Sequence, residues 1–98
     1  DDRYTKEYIV YRQSNGYGSK KIIYELKLNG IDAELINKNF DNFKDDFDVL
    51  YNLAKRKIID YKFDDQKKML KYVNFFKSRG FDNNTILKVI NILKNHEK

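Results

Sequence analysis

The fold is decided by LKLNGID at residues 26–32 and by FKSRGFD at residues 76–82. In each copy a glycine, Gly30 or Gly80, follows a run of apolar residues at helical spacing. Glycine adopts a left-handed backbone conformation at little cost, and many helices end in this way. Each stretch therefore predicts a joint at which one helix ends and the next one begins.

The residues around each glycine have the types that such a joint requires. The hydrophobe after the glycine can pack back on the helix that ends and forward on the helix that begins. The aspartate that follows is a typical N-cap, and its charge complements the helix dipole. The predicted structural joint comprises Leu26, Gly30, Ile31, Asp32 and Ile36 in the first copy, and Phe76, Gly80, Phe81, Asp82 and Ile86 in the second.

Apolar residues at helical spacing predict six helices and no β-strand. Ser19 is predicted as the N-cap of the second helix. The apolar face of the first helix is predicted to include Tyr4, Tyr8, Ile9 and Tyr11, and the second and third helices contribute Leu28 and Phe40. The predicted ranges are about 2–13, 19–29, 32–40, 46–59, 64 or 65 to 79, and 82–95, and the fourth helix either continues or stops within 60–63.

The six helices fall into two sets of three that repeat along the chain. The joints correspond at an offset of 50 residues, so that Phe40 would match Ile90, whereas the first helix of each set corresponds at an offset of 44. The expected fold is all-α, a short right-angled array of two tandem three-helix repeats at residues 1–44 and 45–98. Such arrays usually need more than two repeats, so a further repeat is expected outside this chain.

Composition argues against several classes of function. The chain has no cysteine and a single histidine, His96, so we expect no disulfide, no zinc site, no cofactor and no catalytic triad. Acidic pairs such as Asp45-Asp46 diverge on a helix, and their position indicates helix starts. No apolar run approaches the roughly 20 residues that cross a bilayer, and no signal-peptide pattern is present, which favours a cytoplasmic protein that is not an enzyme.

Charge is distributed unevenly along the chain. Residues 1–50 hold 8 basic and 10 acidic side chains, and residues 51–98 hold 12 and 5, so the net charges are −2 and +7. Two interpretations remain open: a polyanionic partner that faces the second half, or a solvated lysine-rich surface.

Together these residues resemble the RecX family of recombination regulators. The first repeat looks like the family's second, with an acidic pair at Asp1-Asp2, then Arg12, a Gly-x-Gly turn at 16–18 and Glu25-Leu26. The second repeat looks like the family's third, with an Arg-Gly-Phe signature at 79–81. Asn29 stands where the family usually has lysine.

The resemblance implies tandem three-helix repeats and a regulatory function. Family members bind the RecA–single-stranded DNA filament and restrain RecA ATPase and strand exchange in recombination and the SOS response. By this resemblance the partners would be the RecA filament and the single-stranded DNA within it, and the protein would be a monomer. The alternative is a stand-alone helical nucleic-acid-binding module, and a purely structural scaffold is a third possibility.

Basic residues on several helices are the candidates for partner or DNA binding. Residues 19–21 lie at a helix start and predict either a phosphate site or a plain turn and cap. Lysines and arginines at 55–57 and on the fifth helix are predicted to line one basic face, although a solvated face explains any single residue as well. The candidates are Arg12, Lys20, Lys21, Arg56, Lys67, Lys68, Lys71, Lys77 and Arg79.

Three further assignments remain open between a structural and a functional interpretation. Arg12 and Arg79 end helices, where they either complement the dipole or contact a partner. Glu25 is predicted to form a salt bridge with Lys21 or with Arg12. The tyrosines of the first helix and the following turn either belong to the core, which we favour, or stack on bases; these are Tyr4, Tyr8, Tyr11 and Tyr17.

Overall fold

The computed structural model describes residues 2–58 and 66–96. The helices are α1 (Asp2–Ser14), α2 (Ser19–Leu28), α3 (Ala33–Lys38), α4 (Asp46–Lys57), α5 (Gln66–Ser78) and α6 (Asn83–His96), with a 3₁₀ turn at Phe40–Asn42 after α3. The described residues contain no strand, and the all-α prediction with six helices in two sets of three is confirmed. We refer to α1–α3 with the 3₁₀ turn as the first triplet and to α4–α6 as the second triplet.

Both glycine joints close the preceding helix in the same way. Gly30 and Gly80 have φ values of +85° and +95°. In the first joint the Ile31 N–H donates to the Leu26 carbonyl at 3.0 Å, and in the second the Phe81 N–H donates to the Phe76 carbonyl at 3.3 Å. These six-to-one hydrogen bonds define the Schellman motif, which satisfies carbonyl groups at the helix end.

The aspartate after each joint caps the next helix. The Leu35 N–H donates to Asp32 Oδ1, and the Thr85 N–H donates to Asp82 Oδ1, both at 2.8 Å. Hydrogen bonds from the Thr85 backbone and side chain hold the pKa of Asp82 below its ordinary value, and Lys20 and Lys88 add to this effect. The two helices at each joint are thus fixed by one glycine and one carboxylate.

Buried side chains form two separate clusters, one in each triplet. In the first triplet, Ile31 and other half-buried residues pack against Ile9, Ile22, Leu26 and Ile36. The second cluster is larger, because α6 is longer than its counterpart α3 and because α4 and α6 both supply several buried residues. Its buried members are Val49, Leu50, Leu53, Ala54, Ile58, Phe76, Phe81, Ile86, Val89, Ile90 and Leu93.

The predicted core of α1 was partly wrong. Tyr4 and Tyr11 are 44% and 64% exposed, whereas Thr5 and Gln13 are buried. The Gln13 side chain donates to the Lys44 carbonyl and accepts from the Lys44 N–H, both at 3.1 Å. A polar side chain is therefore buried here because it satisfies the backbone just before α4.

The repeat correspondence also fails at Phe40. Phe40 is 71% exposed, whereas Ile90, which matches it in sequence, is 3% exposed. The physical reason is that the third helix of the first triplet stops at Lys38 and the chain continues as a 3₁₀ turn, while α6 runs on to His96. Leu28, at the end of α2, is also exposed rather than part of the core.

The boundary between α4 and α5 is described only in part. Helix α4 ends at Lys57, and the buried Ile58 follows it. The helix is therefore shorter than predicted, since the predicted range ended at Ile59. The predicted start of the fifth helix at Asp64 or Asp65 and the uncertain stretch 60–63 lie outside the described residues, as does Asp1.

Candidate binding surface at the junction of the triplets

The two triplets meet through backbone groups at two glycines. The Gly18 N–H, just before α2, donates to the Arg79 carbonyl at 2.8 Å. A Cβ added at Gly18 would lie 2.5 Å from the Gly80 carbonyl oxygen, and one added at Gly80 would lie 2.7 Å from the Lys21 backbone nitrogen. The approach is therefore too close for any side chain at either glycine.

A carboxylate from the second triplet caps α2. Asp46, in the first turn of α4, accepts from the Ser19 N–H at 2.8 Å and from the Ser19 hydroxyl at 2.7 Å. The prediction of Ser19 as N-cap was wrong: the N-cap is Gly18, which has no side chain, and Ser19 is the first helical residue. A phosphate at this helix start would have to displace Asp46.

Arg12 is held inside the first triplet by Glu25. Its Nη2 and Nε lie 2.6 Å and 2.9 Å from the two carboxylate oxygens, and each side chain is 20% exposed. The Tyr8 hydroxyl also donates to Glu25 at 3.0 Å, and the Arg12 guanidinium lies 3.6 Å from the centroid of the Tyr17 ring. Of the two partners predicted for Glu25, the structure thus has Arg12.

Burial and ion pairing act in opposite directions on the pKa of Arg12. Burial of the guanidinium lowers this pKa, but the hydrogen bond and the charge of Glu25 outweigh it, so the pKa is raised. For Tyr8, burial and the hydrogen bond to Glu25 both raise the pKa. Glu25 therefore neutralises the charge of Arg12 in an ion pair.

Arg79 bridges the two triplets with its side chain. Its guanidinium carbon lies 4.3 Å from the Tyr17 ring centroid and 4.9 Å from that of Phe75, and its Nη1 donates to the Asn15 carbonyl at 2.9 Å. The Nζ of Lys57 lies 4.8 Å from the Phe75 ring centroid. Within residues 2–58 and 66–96, neither Arg79 nor Lys57 forms an ion pair with a carboxylate.

These contacts form a continuous cation–aromatic row across the junction. It alternates three cations with two rings in the order Lys57, Phe75, Arg79, Tyr17 and Arg12. The rings and Arg79 are half-buried, and Lys57 is exposed. The edge of such a row can bind anions, because two of its cations have no carboxylate partner among the described residues, whereas each ring already has cations over it.

The other predicted site residues point in several directions. Lys71 and Lys77 are exposed on α5 but lie about 120° apart around its axis, at roughly 100° per residue. Arg56 lines a groove with Val10 and Asp48, and Lys20 is exposed near Asp82. Lys21 packs under Gly80, and Lys67 and Lys68 are exposed on α5. The predicted basic residues therefore do not share one face.

Phe75 is the member of the row to which sequence reasoning gave no site role. Its signal is the spacing: Lys71, Phe75 and Arg79 are four residues apart, and residues at i and i+4 lie on one side of a helix. Sequence reasoning singled out only its neighbour Phe76, which belongs to the joint and is buried.

The fold and the junction define a class: a tandem three-helix-repeat protein with a cation–aromatic row where its repeats meet. Residues 1–38 match the family profile described as "RecX, second three-helix domain". The chain belongs to the RecX family. No solved structure matches it.

Three curated relatives carry the name "Regulatory protein RecX". The protein of Actinobacillus pleuropneumoniae serotype 5b is 36% identical over 83 residues, which is 85% of this chain and 54% of the relative. That of Haemophilus ducreyi is 34% identical over 85 residues, 85% of this chain and 54% of the relative. That of Legionella pneumophila strain Corby is 33% identical over 99 residues, 96% of this chain and 63% of the relative. The chain thus spans a little more than half the length of these relatives.

Among the described residues, no helix has the length and apolar character that a membrane crossing requires. The same residues contain no group of three or more His, Asp or Glu side chains that could hold a metal ion.

Proposed function

We propose that this chain is a regulatory part of a protein that binds the RecA–single-stranded DNA filament and restrains RecA ATPase and strand exchange. The observation that carries the proposal is the similarity to proteins named "Regulatory protein RecX" over 85–96% of the chain. The protein would act in the cytoplasm as a monomer, by binding and without catalysis of its own.

The domain division supports the same proposal. We propose that residues 1–44 and 45–98 are two consecutive three-helix repeats, because each triplet has its own buried cluster and its own glycine joint. A filament is a repeating partner, and a tandem array presents an extended surface along which neighbouring sites can be contacted. The regulatory surface would then include residues from both repeats.

The test is RecA ATPase activity on single-stranded DNA, measured with increasing amounts of the full-length protein. We expect the ATPase rate and the rate of strand exchange to fall as the protein is added. Co-sedimentation with RecA filaments should show saturable binding under the same conditions. An ATPase rate that stays unchanged while the protein is folded and in excess over RecA contradicts the proposal.

A further inference from the structure

We propose that the outer face of α1, with the groove between α1 and α4, is a docking site for an acidic amphipathic helix of a protein partner. We call this site the α1 groove, and its cations and exposed apolar residues are Arg3, Lys6, Val10, Tyr11, Lys44 and Arg56. In the setting of the proposed function the partner is RecA. The inference rests on that function for its biological setting and says where the filament protein would be held.

The α1 groove is open because the third helix of the first triplet is short. At the offset of 44 residues, Val10 corresponds to Ala54 and Ser14 corresponds to Ile58. In the second triplet those two positions are fully buried in the cluster that α4 forms with α6. Helix α3 has 6 residues and α6 has 14, so at 1.5 Å per residue their lengths are about 9 Å and about 21 Å. Among the described residues, α3 therefore leaves uncovered the face of α1 that corresponds to the covered face of α4.

Two apolar side chains remain exposed on this face. Val10 is 56% exposed and Tyr11 is 64% exposed. Next to Val10, a groove of about 270 Å³ runs between α1 and α4, and the buried side chains of Gln13 and Val49 also line it. Amphipathic helices commonly bind in such grooves, with apolar side chains one turn apart as anchors. The shape of the site therefore fits a helix, which is also what covers the corresponding face of α4.

The charges around the groove favour a partner helix that carries carboxylates. Arg3 and Glu7 pair with each other at 3.1 Å. Within residues 2–58 and 66–96, none of the other cations of the site forms an ion pair with a carboxylate. Asp48 also lines the groove, in the first turn of α4, where its charge complements the helix dipole. With four cations and two carboxylates, the site has a net charge of 4 − 2 = +2.

The apolar centre of the site distinguishes a protein helix from a nucleic acid. Val10 lines both the hollow along α1 and the groove between α1 and α4. Phosphates would use the surrounding cations, but an aliphatic side chain offers a base no ring on which to stack. A basic helix would fill the apolar centre but would bring like charges together, which is unfavourable. An acidic amphipathic helix uses both the apolar centre and the cations around it.

The experiment measures the binding of a fluorescently labelled helical peptide by the full-length protein, without RecA. The peptide carries leucines at positions i, i+4 and i+7 with glutamates on either side of them, and a second peptide has lysines in place of the glutamates. The acidic peptide should bind saturably, and the basic peptide should not. Val10→Asp and Lys6→Glu should each raise the Kd of the acidic peptide by about tenfold.

Leu87→Asp and Lys27→Glu are the matched controls. They change an exposed leucine of α6 and an exposed lysine of α2, neither of which lines the site, and both should leave the Kd unchanged. All four side chains are exposed, so the variants should keep the fold, which circular dichroism verifies. Absence of binding, equal binding of the two peptides, or equal losses in the site and control variants overturns the inference. Displacement of the peptide by oligothymidylate at lower charge concentration also overturns it, because the cations would then belong to a nucleic acid site.

RecA ATPase activity on single-stranded DNA separates the inference from the proposed function. Val10→Asp should need about tenfold more protein than the wild type for the same restraint, and Leu87→Asp should match the wild type. Full restraint by Val10→Asp overturns the inference and leaves the proposed function intact. Peptide binding that depends on Val10 and Lys6, together with no effect of the wild type on RecA ATPase, refutes the proposed function alone.

Discussion

Two ion pairs in the first triplet have different surroundings, although both join an arginine to a glutamate. Arg12 and Glu25 are 20% exposed and form a bidentate pair, whereas the side chains of Arg3 and Glu7 are 87% and 68% exposed. Exposed pairs on a helix contribute little because water screens them. When one partner of a largely buried pair is removed, the other charge remains without compensation.

Glu25→Gln should therefore destabilise the protein by about 1–3 kcal/mol, since the Arg12 guanidinium and the Tyr8 hydroxyl lose a charged acceptor. The matched control Glu7→Gln should change the free energy of unfolding by less than about 0.5 kcal/mol. Urea denaturation of both variants measures the difference. Equal losses in the two variants would show that the Arg12–Glu25 pair is no more important than a surface pair.

Asp82 contributes a stability term that depends on pH. Because its pKa is lowered in the folded state, its contribution is complete above the ordinary aspartate pKa of about 3.9 and is lost as the pH falls through the lowered value. Asp82→Ala should cost about 1 kcal/mol at neutral pH, where the cap is ionised. The difference from the wild type should shrink in strong acid.

The measurement is the free energy of unfolding in urea for wild type and variant at a series of acidic pH values. Asp82→Asn is the control, because asparagine caps a helix about as well as aspartate does. It should remain within about 0.5 kcal/mol of the wild type at neutral pH. A gap between wild type and Asp82→Ala that widens on acidification would contradict the lowered pKa.

At the scale of elements, α2 approaches the second glycine joint closely at Gly18. The sign of the stability change caused by an alanine at this position tests that packing. Gly18 has an ordinary extended conformation, with φ −79° and ψ 160°. Alanine at such a position stabilises a protein by about 0.4–1 kcal/mol where space permits. Here the added Cβ would meet the Gly80 carbonyl and the Phe81 ring, so Gly18→Ala should destabilise by about 1–3 kcal/mol.

Gly30→Ala is the matched control, because an added Cβ there meets no atom within 4 Å and φ is +85°. Its cost should be the left-handed backbone term alone, about 1–2 kcal/mol. Gly80→Ala combines the left-handed backbone with the contact on Lys21 and should cost most of the three. The midpoints of urea denaturation rank them, and a stabilising Gly18→Ala would mean that the triplets do not pack as described.

The sequence was sufficient for the joints because their physics is local. A left-handed glycine, a capping aspartate and the hydrophobe between them lie within a few residues, so each can be recognised from its neighbours along the chain. The prediction failed where the structure depends on distant partners. Ser19 looks like an N-cap in sequence, but Asp46 supplies the cap from another helix.

The same distinction explains the candidate site. Lys71, Phe75 and Arg79 lie on one helix at a spacing that sequence reveals. That Tyr17 and Asn15 meet Arg79 from 62 and 64 positions away could not be read from periodicity. The tyrosines of α1 were assigned to the core because tyrosine fits both a core and a surface, and only packing separates the exposed Tyr11 from the half-buried Tyr8.

At the scale of the whole molecule, the extents of 46 × 21 × 19 Å describe an elongated array. Its two clusters of buried side chains are separate, so the stability of each triplet depends on its own core and on the junction. The first cluster is small, and a domain with few buried residues is marginally stable when alone. We therefore expect the first triplet to depend on the junction more than the second does.

Substitutions of Asp46 and of its neighbour Asp45 distinguish the contribution of the junction to stability from that of the cores. Asp45 accepts a hydrogen bond from the Phe47 N–H and caps α4 itself, whereas Asp46 caps α2 in the other triplet. Asp46→Ala should therefore lower the opening free energies of amides in α1 and α2 by about 1–2 kcal/mol and leave those of α6 nearly unchanged. Asp45→Ala should act in the opposite way, by lowering the values in α4 first.

Native-state hydrogen exchange measures these free energies amide by amide, and regions that open together show equal values. If both variants lowered all helices equally, the protein would unfold as one cooperative unit and the junction would be as strong as either core. If Asp46→Ala affects the first triplet alone, the array consists of two units joined by a junction that can yield.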